Sequence, residues 1–192
     1  MLFRSTRSIV EHVEIIKRLA NEFSEYGRMP TAQFVSADLS ALVRNTVQSF
    51  TAEHQSVSFS LSIDGKIPEI LLDPEQIRGV VRNLLNNAVA AAVAHTGPEA
   101  AAVEVKLSFD RKSSRALLEV VDNGHGVPAS DKNRIFEPYF TTKKGGTGLG
   151  LAIVSTIISD HQGEIRVFDR QPSGTRMLVA LPQYPQPGTI RD

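Results

Sequence analysis

The chain has 192 residues and a mass of 21.0 kDa, which is one ordinary domain, or one domain plus a short appendage. Its 21 Lys and Arg balance 21 Asp and Glu, so no broad field draws it to phosphate backbones or anionic membranes, and nucleic acid is not an expected partner. The absence of Cys excludes disulfides, thiolate zinc sites and cysteine nucleophiles. The longest purely apolar run, Ala88 to Ala94, is far short of the roughly 20 residues that cross a bilayer. The basic N-terminus has no apolar stretch behind it, so neither a membrane span nor a secretory signal is expected.

Ile9, Val13, Ile16, Ala20 and Phe23 form the seam of a helix that needs a partner and stops at Gly27 to Pro30. Residues 1–30 therefore read as an appendage, 31–182 as the main domain, and the Pro-rich stretch 183–192 as a disordered tail. A helix capped by Asp38 is predicted through Leu42, Val43, Val47 and Phe50. Val57, Phe59, Leu61 and Ile63 alternate with serines as a half-buried strand, and a short strand follows at Ile70 to Leu72. Asp73 as cap, Pro74 at the first helical position and Gln76 in a capping box announce the next helix, whose stripe is Ile77, Val80, Val81, Leu84, Leu85 and Ala88. Strands are predicted at Val103 to Phe109 and Ala116 to Val121, a helix at Leu149 to Gln162, and strands at Glu164 to Phe168 and Thr175 to Leu181. Six glycines fall between residues 122 and 150, a density that marks a functional loop.

Three features carry chemistry. Asn83 and Asn87 lie four residues apart on one side of their helix, so two amide oxygens are available to a hydrated Mg²⁺ shared with phosphates. Asp122-Asn123-Gly124-His125-Gly126 follows a strand, placing at its end a carboxylate that can accept from an exocyclic amine such as that of adenine. Gly145-Gly146-Thr147-Gly148-Leu149-Gly150 leads into a helix whose free N–H groups can face an anion. Each is weak alone: Asn is tolerated on helix surfaces, Asp-Asn-Gly is a common turn, and a lone glycine loop says little.

Their order, with Ile135-Phe136-Glu137-Pro138-Tyr139-Phe140 between the last two, resembles the catalytic, ATP-binding domain of sensor histidine kinases, in the superfamily shared with gyrase, Hsp90 and MutL. The resemblance covers roughly residues 38–182, and its end of the N-terminal helix is similar to nitrogen-regulatory sensors of the NtrY type. It implies a two-layer α/β sandwich, the Bergerat ATP-binding fold, with about five mixed strands under three helices, a long lid and a partial N-terminal dimerisation helix. It implies ATP and Mg²⁺ as cofactors, with Asn87 the metal ligand, Asn83 its helper and Asp122 on the adenine amine. Gly124, Gly126, Phe140, Lys143, Gly146, Thr147, Gly148, Leu149, Gly150 and Thr175 complete the implied nucleotide contacts. Implied partners are a histidine-bearing dimerisation domain of the same sensor, a cognate response regulator and, in the full-length protein, a second copy; the implied location is the cytoplasmic portion of a membrane-anchored sensor.

The sequence departs from a whole kinase core in two ways. No phosphoacceptor box surrounds His12, so this chain is expected to lack the acceptor histidine. Val89 to Ala92 stand where relatives carry a Lys and a Tyr, leaving the phosphate charge to Mg²⁺, backbone amides and Lys143, Lys144 or Arg82. Hydrolytic members of the superfamily place a Glu where Asn83 stands, and an amide cannot take a proton from water near pH 7. Phosphoryl transfer to a supplied histidine is therefore expected, with an ATPase or ATP-driven clamp as the alternative. His161 suits a helix C-terminus, as a positive or donor side chain.

Overall fold

The computed structural model describes residues 31–143 and 146–184. The expected dimerisation helix, Lys144, Gly145 and the tail beyond Tyr184 lie outside the described residues. The elements run β1 (Val35–Ala37), α1 (Leu39–Glu53), β2 (Ser58–Ile63), β3 (Ile70–Leu72), α2 (Pro74–Thr96), β4 (Ala102–Asp110), β5 (Arg115–Asp122), α3 (Gly150–Asp160), β6 (Glu164–Asp169) and β7 (Thr175–Pro182).

A five-stranded sheet has the order β2-β4-β5-β7-β6, with β2 parallel to β4 and the other pairs antiparallel. The parallel pair needs a crossover, which β3 and α2 supply. Strand alternation decides which face is buried. Val103, Val105 and Leu107 of β4, Ala116, Leu118 and Val120 of β5, and Met177, Val179 and Leu181 of β7 turn one way and are all buried. The opposite face is charged: Arg176 donates to Glu119 at 2.9 Å and lies over the Phe168 ring. A sheet wet on one face is typical of antiparallel ladders, and the three helices cover the other, giving the two-layer α/β sandwich expected from the sequence.

The helices start where their caps stand. The Asp38 carboxylate accepts from Ala41 N–H at 3.0 Å, and Asp73 accepts from Glu75 and Gln76 N–H at 3.0 and 3.1 Å. These bonds satisfy donors that the first helical turn leaves open. Leu39, Val43 and Phe50 of α1, Ile77, Val80, Leu84 and Leu85 of α2, and Val154 and Ile158 of α3 then fill one core against the sheet.

Strand β1 is absent from the sequence reading. Three residues are too few to show alternation, and the strand exists because β3 offers it a partner, with Val35 opposite Leu72. Gln183, expected to open a loose tail, is instead bound: its N–H donates to Ser114 O and its carbonyl accepts from Leu71 N–H, both at 3.0 Å. The backbone edge of β3 supplies the partner that its composition does not announce.

His161 stands at the C-terminus of its helix as expected, as the donor of the two forms the sequence allowed. It is 1 % exposed, its Nε2 accepts from Asp73 N–H at 3.0 Å, and its Nδ1 lies 2.8 Å from Ile157 O. Only the neutral ring, protonated at Nδ1, serves both partners. Burial holds its pKa below the usual histidine value, against the opposing pull of Ile157 O, Asp73 and Asp160. The same Asp73 accepts from Gln33 N–H at 2.8 Å, and the Phe34 ring lies 4.8 Å from the imidazole, so this node ties the incoming chain to the start of α2.

A folded-state pKa below the unfolded value means that the unfolded chain binds the extra proton. Stability therefore falls as pH drops below about 6.5, by up to about 1.4 kcal/mol per pH unit. Urea unfolding between pH 8 and pH 5 is expected to show that slope, and His161→Leu to lose it while being destabilised by about 1–3 kcal/mol at pH 8.

Candidate functional site

A cleft of about 550 Å³ opens between α2, the end of β5, residues 125–143 and 146–148, and the start of α3. Along α2 the side facing it carries Asn83, Asn87 and Ala91, four residues apart in each case, which is one line on a helix surface. Their neighbours Leu84 and Ala88 are buried, so the core itself sets the helix rotation and turns the two amides to the cleft. Gly150 opens α3 directly against Asn83: a Cβ there would stand 3.3 Å from Asn83 Oδ1. Leu149 supplies α3 with no side-chain cap, so the first N–H groups of that helix face the cleft with their positive end of the dipole.

Asp122 ends β5 and is 5 % exposed. Its Oδ1 accepts from Gly124 N–H at 2.8 Å and from Thr175 N–H at 3.3 Å. Burial raises its pKa above the ordinary carboxylate value, while those two N–H groups, the Thr175 side chain and nearby His125 pull the other way. The carboxylate is thus anchored through one oxygen by the β5 and β7 backbones at the floor of the cleft. Two glycines make room for this. A Cβ at Gly124 would press on the Ala91 carbonyl at 2.8 Å, and one at Gly174, where φ is +123°, would overlap the Asp122 carbonyl oxygen. Val120, Met177 and Ile135 add an apolar wall, which with a few convergent polar groups suits a flat, partly polar ligand.

The segment above the cleft is a chain of turns. Asp131 N–H donates to Pro128 O, Ile135 N–H to Asp131 O and Phe140 N–H to Glu137 O. Lys132 reaches Asp169 of β6 at 2.6 Å, and the Arg134 guanidinium lies over the Phe140 ring at 4.5 Å. Tyr139, 62 % exposed with φ +67°, donates its N–H to Gly148 O, which pins the segment to the glycine loop. Lys143 Nζ donates to Asn87 Oδ1 at 3.0 Å. Burial lowers the lysine pKa, and the charge of Asp122 opposes this.

Of the residues singled out in the sequence, Asn83, Asn87, Asp122, Gly126, Phe140, Lys143, Gly146, Thr147, Gly148, Gly150 and Thr175 all line the cleft. Two do not. Leu149 is 1 % exposed in the core, its N–H donating to Thr147 Oγ1, so it anchors the loop from behind. Gly124 shapes Asp122 rather than facing the cavity. Arg82 is exposed and outside the lining. Ala91, Thr141 and the apolar wall of Val120, Ile135 and Met177 stand outside the predicted set; the four-residue spacing from Asn87 points to the first, and no local signal marks the others as lining. Among the described residues no three His, Asp or Glu cluster as a metal cage. The donor set that is present, two amide oxygens beside the uncapped start of α3, fits a cation such as Mg²⁺ that keeps its waters and takes few protein ligands.

Residues 72–185 match the family of histidine kinase-, DNA gyrase B-, and HSP90-like ATPases. Over 176 residues the chain is 34% identical to the nitrogen regulation protein NtrY of Azorhizobium caulinodans, covering 92% of this chain and 23% of that protein. The chain thus spans less than a quarter of that relative's length. The nucleotide-free catalytic domain of histidine kinase ThkA superposes with a TM-score of 0.70 at 28% identity, covering 79% of this chain and 96% of that one. The structure of ThkA in complex with the response regulator protein TrrA shares the fold at a TM-score of 0.79 and 23% identity, covering 98% of this chain and 53% of that one.

Gly174→Ala is expected to cost at least about 2 kcal/mol, because it combines a left-handed φ with an overlap on the Asp122 carbonyl. Thermal unfolding would show it as a drop in Tm of roughly 4–8 °C.

Proposed function

The chain belongs to the family of histidine kinase-, DNA gyrase B-, and HSP90-like ATPases, and from that premise we propose that it is the ATP-binding kinase domain of a two-component sensor histidine kinase. The observation that carries this reading is one cleft lined by Asn83, Asn87, Asp122 and the 146–150 glycine loop. Asp122 accepts from the adenine amine, and Gly126 and Thr175 border the base. Gly146, Thr147, Gly148 and the first N–H groups of α3 receive the phosphates, with Phe140 and Lys143 closing from above. Asn87, helped by Asn83, holds Mg²⁺, which neutralises the phosphate charge when bound. No cleft-facing carboxylate stands one helical turn before Asn87, and the Asn83 amide cannot serve as a base for water. The γ-phosphate is accordingly kept for a histidine on a helical domain, by positioning and charge neutralisation, and passed on to a response regulator.

Membership alone leaves an ATPase or ATP-driven clamp as the second reading, and the amide at position 83 favours the first. The partners are the sensor's own dimerisation domain, as a homodimer, and the response regulator. No helix of the described residues is long and apolar enough to cross a membrane; the proposed place is the cytoplasmic part of a membrane-anchored sensor.

With γ-labelled ATP and Mg²⁺, the chain is expected to retain nucleotide without steady phosphate release, and to label a histidine-bearing helical bundle when one is supplied; steady release would establish the ATPase reading instead. Asp122→Asn is expected to weaken ATP and ADP equally, by roughly 10–100-fold, the worth of a charge-assisted hydrogen bond. Selective loss of ATP in calorimetry would refute the adenine role.

A further inference from the structure

We propose that Lys143 is a tethered cation for the Asn87 amide oxygen, so that this chain binds nucleotide in two electrostatic modes: one without metal, with the lysine in place, and one in which Mg²⁺ takes that oxygen and the lysine is released. The proposal rests on the reading of Asn87 as a metal ligand. Its first support is the bond itself, 3.0 Å between residues 56 apart in the chain. Among the described residues, Lys143 is also the one Lys or Arg that lines the cleft.

The second support is that the backbone is shaped to deliver it. Lys143 N–H donates to Thr141 Oγ1 at 3.1 Å, and Lys143 O accepts from Gly146 N–H at 3.1 Å. A Cβ at Gly146 would stand 2.6 Å from Thr141 Oγ1 and 3.3 Å from Lys143 Cβ, so the loop closes around the lysine only with glycine there. The backbone of Lys143 is therefore held by Thr141 and Gly146, which also line the cleft.

The two cations exclude each other at Asn87. An amide oxygen has two lone pairs, but a dication about 2.1 Å away and an ammonium about 3 Å away would stand within about 5 Å of one another and repel. Lysine suits this exchange. It is a compact charge on a flexible stem with three donors, able to leave one oxygen for a phosphate oxygen without rebuilding the backbone. An Arg fork would lock more rigidly, and a neutral side chain would leave the phosphates unneutralised until metal arrived.

The test is calorimetric binding of ADP to the 192-residue chain, in EDTA and in excess Mg²⁺. Lys143→Met is expected to weaken metal-free binding at least tenfold more than binding in excess Mg²⁺, so that the dependence on metal steepens. Lys143→Gln, which keeps a donor without the charge, is expected to match the Met variant; wild-type behaviour would overturn the role of charge. Equal weakening with and without metal would make Lys143 a plain phosphate contact, and no change in either would remove it from the site; each result overturns the proposal. Asn87→Ala separates the underlying reading: it is expected to abolish the gain in affinity from Mg²⁺. A full Mg²⁺ effect in that variant would sink the metal assignment of Asn87, whatever the lysine variants do.

Discussion

A carboxylate buried at the end of the middle strand organises this structure. Asp122 cannot be left unsatisfied at 5 % exposure, so the chain bends to bring Gly124 N–H and Thr175 N–H onto one of its oxygens. That demand fixes much else. It draws the turn before β7 against the end of β5 so closely that only glycine is possible at 174, and it seats the turn after β5 against the Ala91 carbonyl of α2. Sheet, helix and loop thus meet at one group, and the floor of the cleft is the place where they meet.

Around that floor the polar groups are few and each is set by a packed neighbour. Asn83 and Asn87 are aimed by Leu84, Leu85 and Ala88, which leave the helix no other rotation. The glycine loop is held from behind by Leu149 and from above by the Tyr139 to Gly148 bond. Such a site is preorganised where charge must be recognised and adjustable only above it, in a segment built from single turns.

Much of this was legible in the sequence because it follows from short-range rules. The Asp73-Pro74 start and the apolar stripe of α2 fix which side of the helix Asn83 and Asn87 occupy, and the strand before Asp122 fixes that the carboxylate stands at a sheet end. What escaped depends on contacts distant in the chain. Lys143 meets Asn87 across 56 residues, and His161 meets Asp73 across 88, with no local pattern to announce either. Leu149 sits inside a glycine motif, yet its apolar side chain obeys the core rather than the motif. Strand β1 is invisible because three residues carry no period and its existence belongs to β3. His161 reads as a positive or donor group at a helix end, and its burial depends on Asp73 and Phe34, both distant in the chain.

The chain enters the described unit at Gln33 and leaves it at Gln183, and both are bonded beside the same short stretch, Leu71 to Asp73. From Asp73 helix α2 carries the chain to Asn87, about 21 Å away at 1.5 Å per residue. The two ends of the unit are therefore bonded at the start of a lever whose middle lines the cleft. A turn of about 10° at that start would carry the cleft about 4 Å sideways with no change inside it. Aim and chemistry are mechanically separable in this architecture, with the first decided at the start of α2 and the second midway along it.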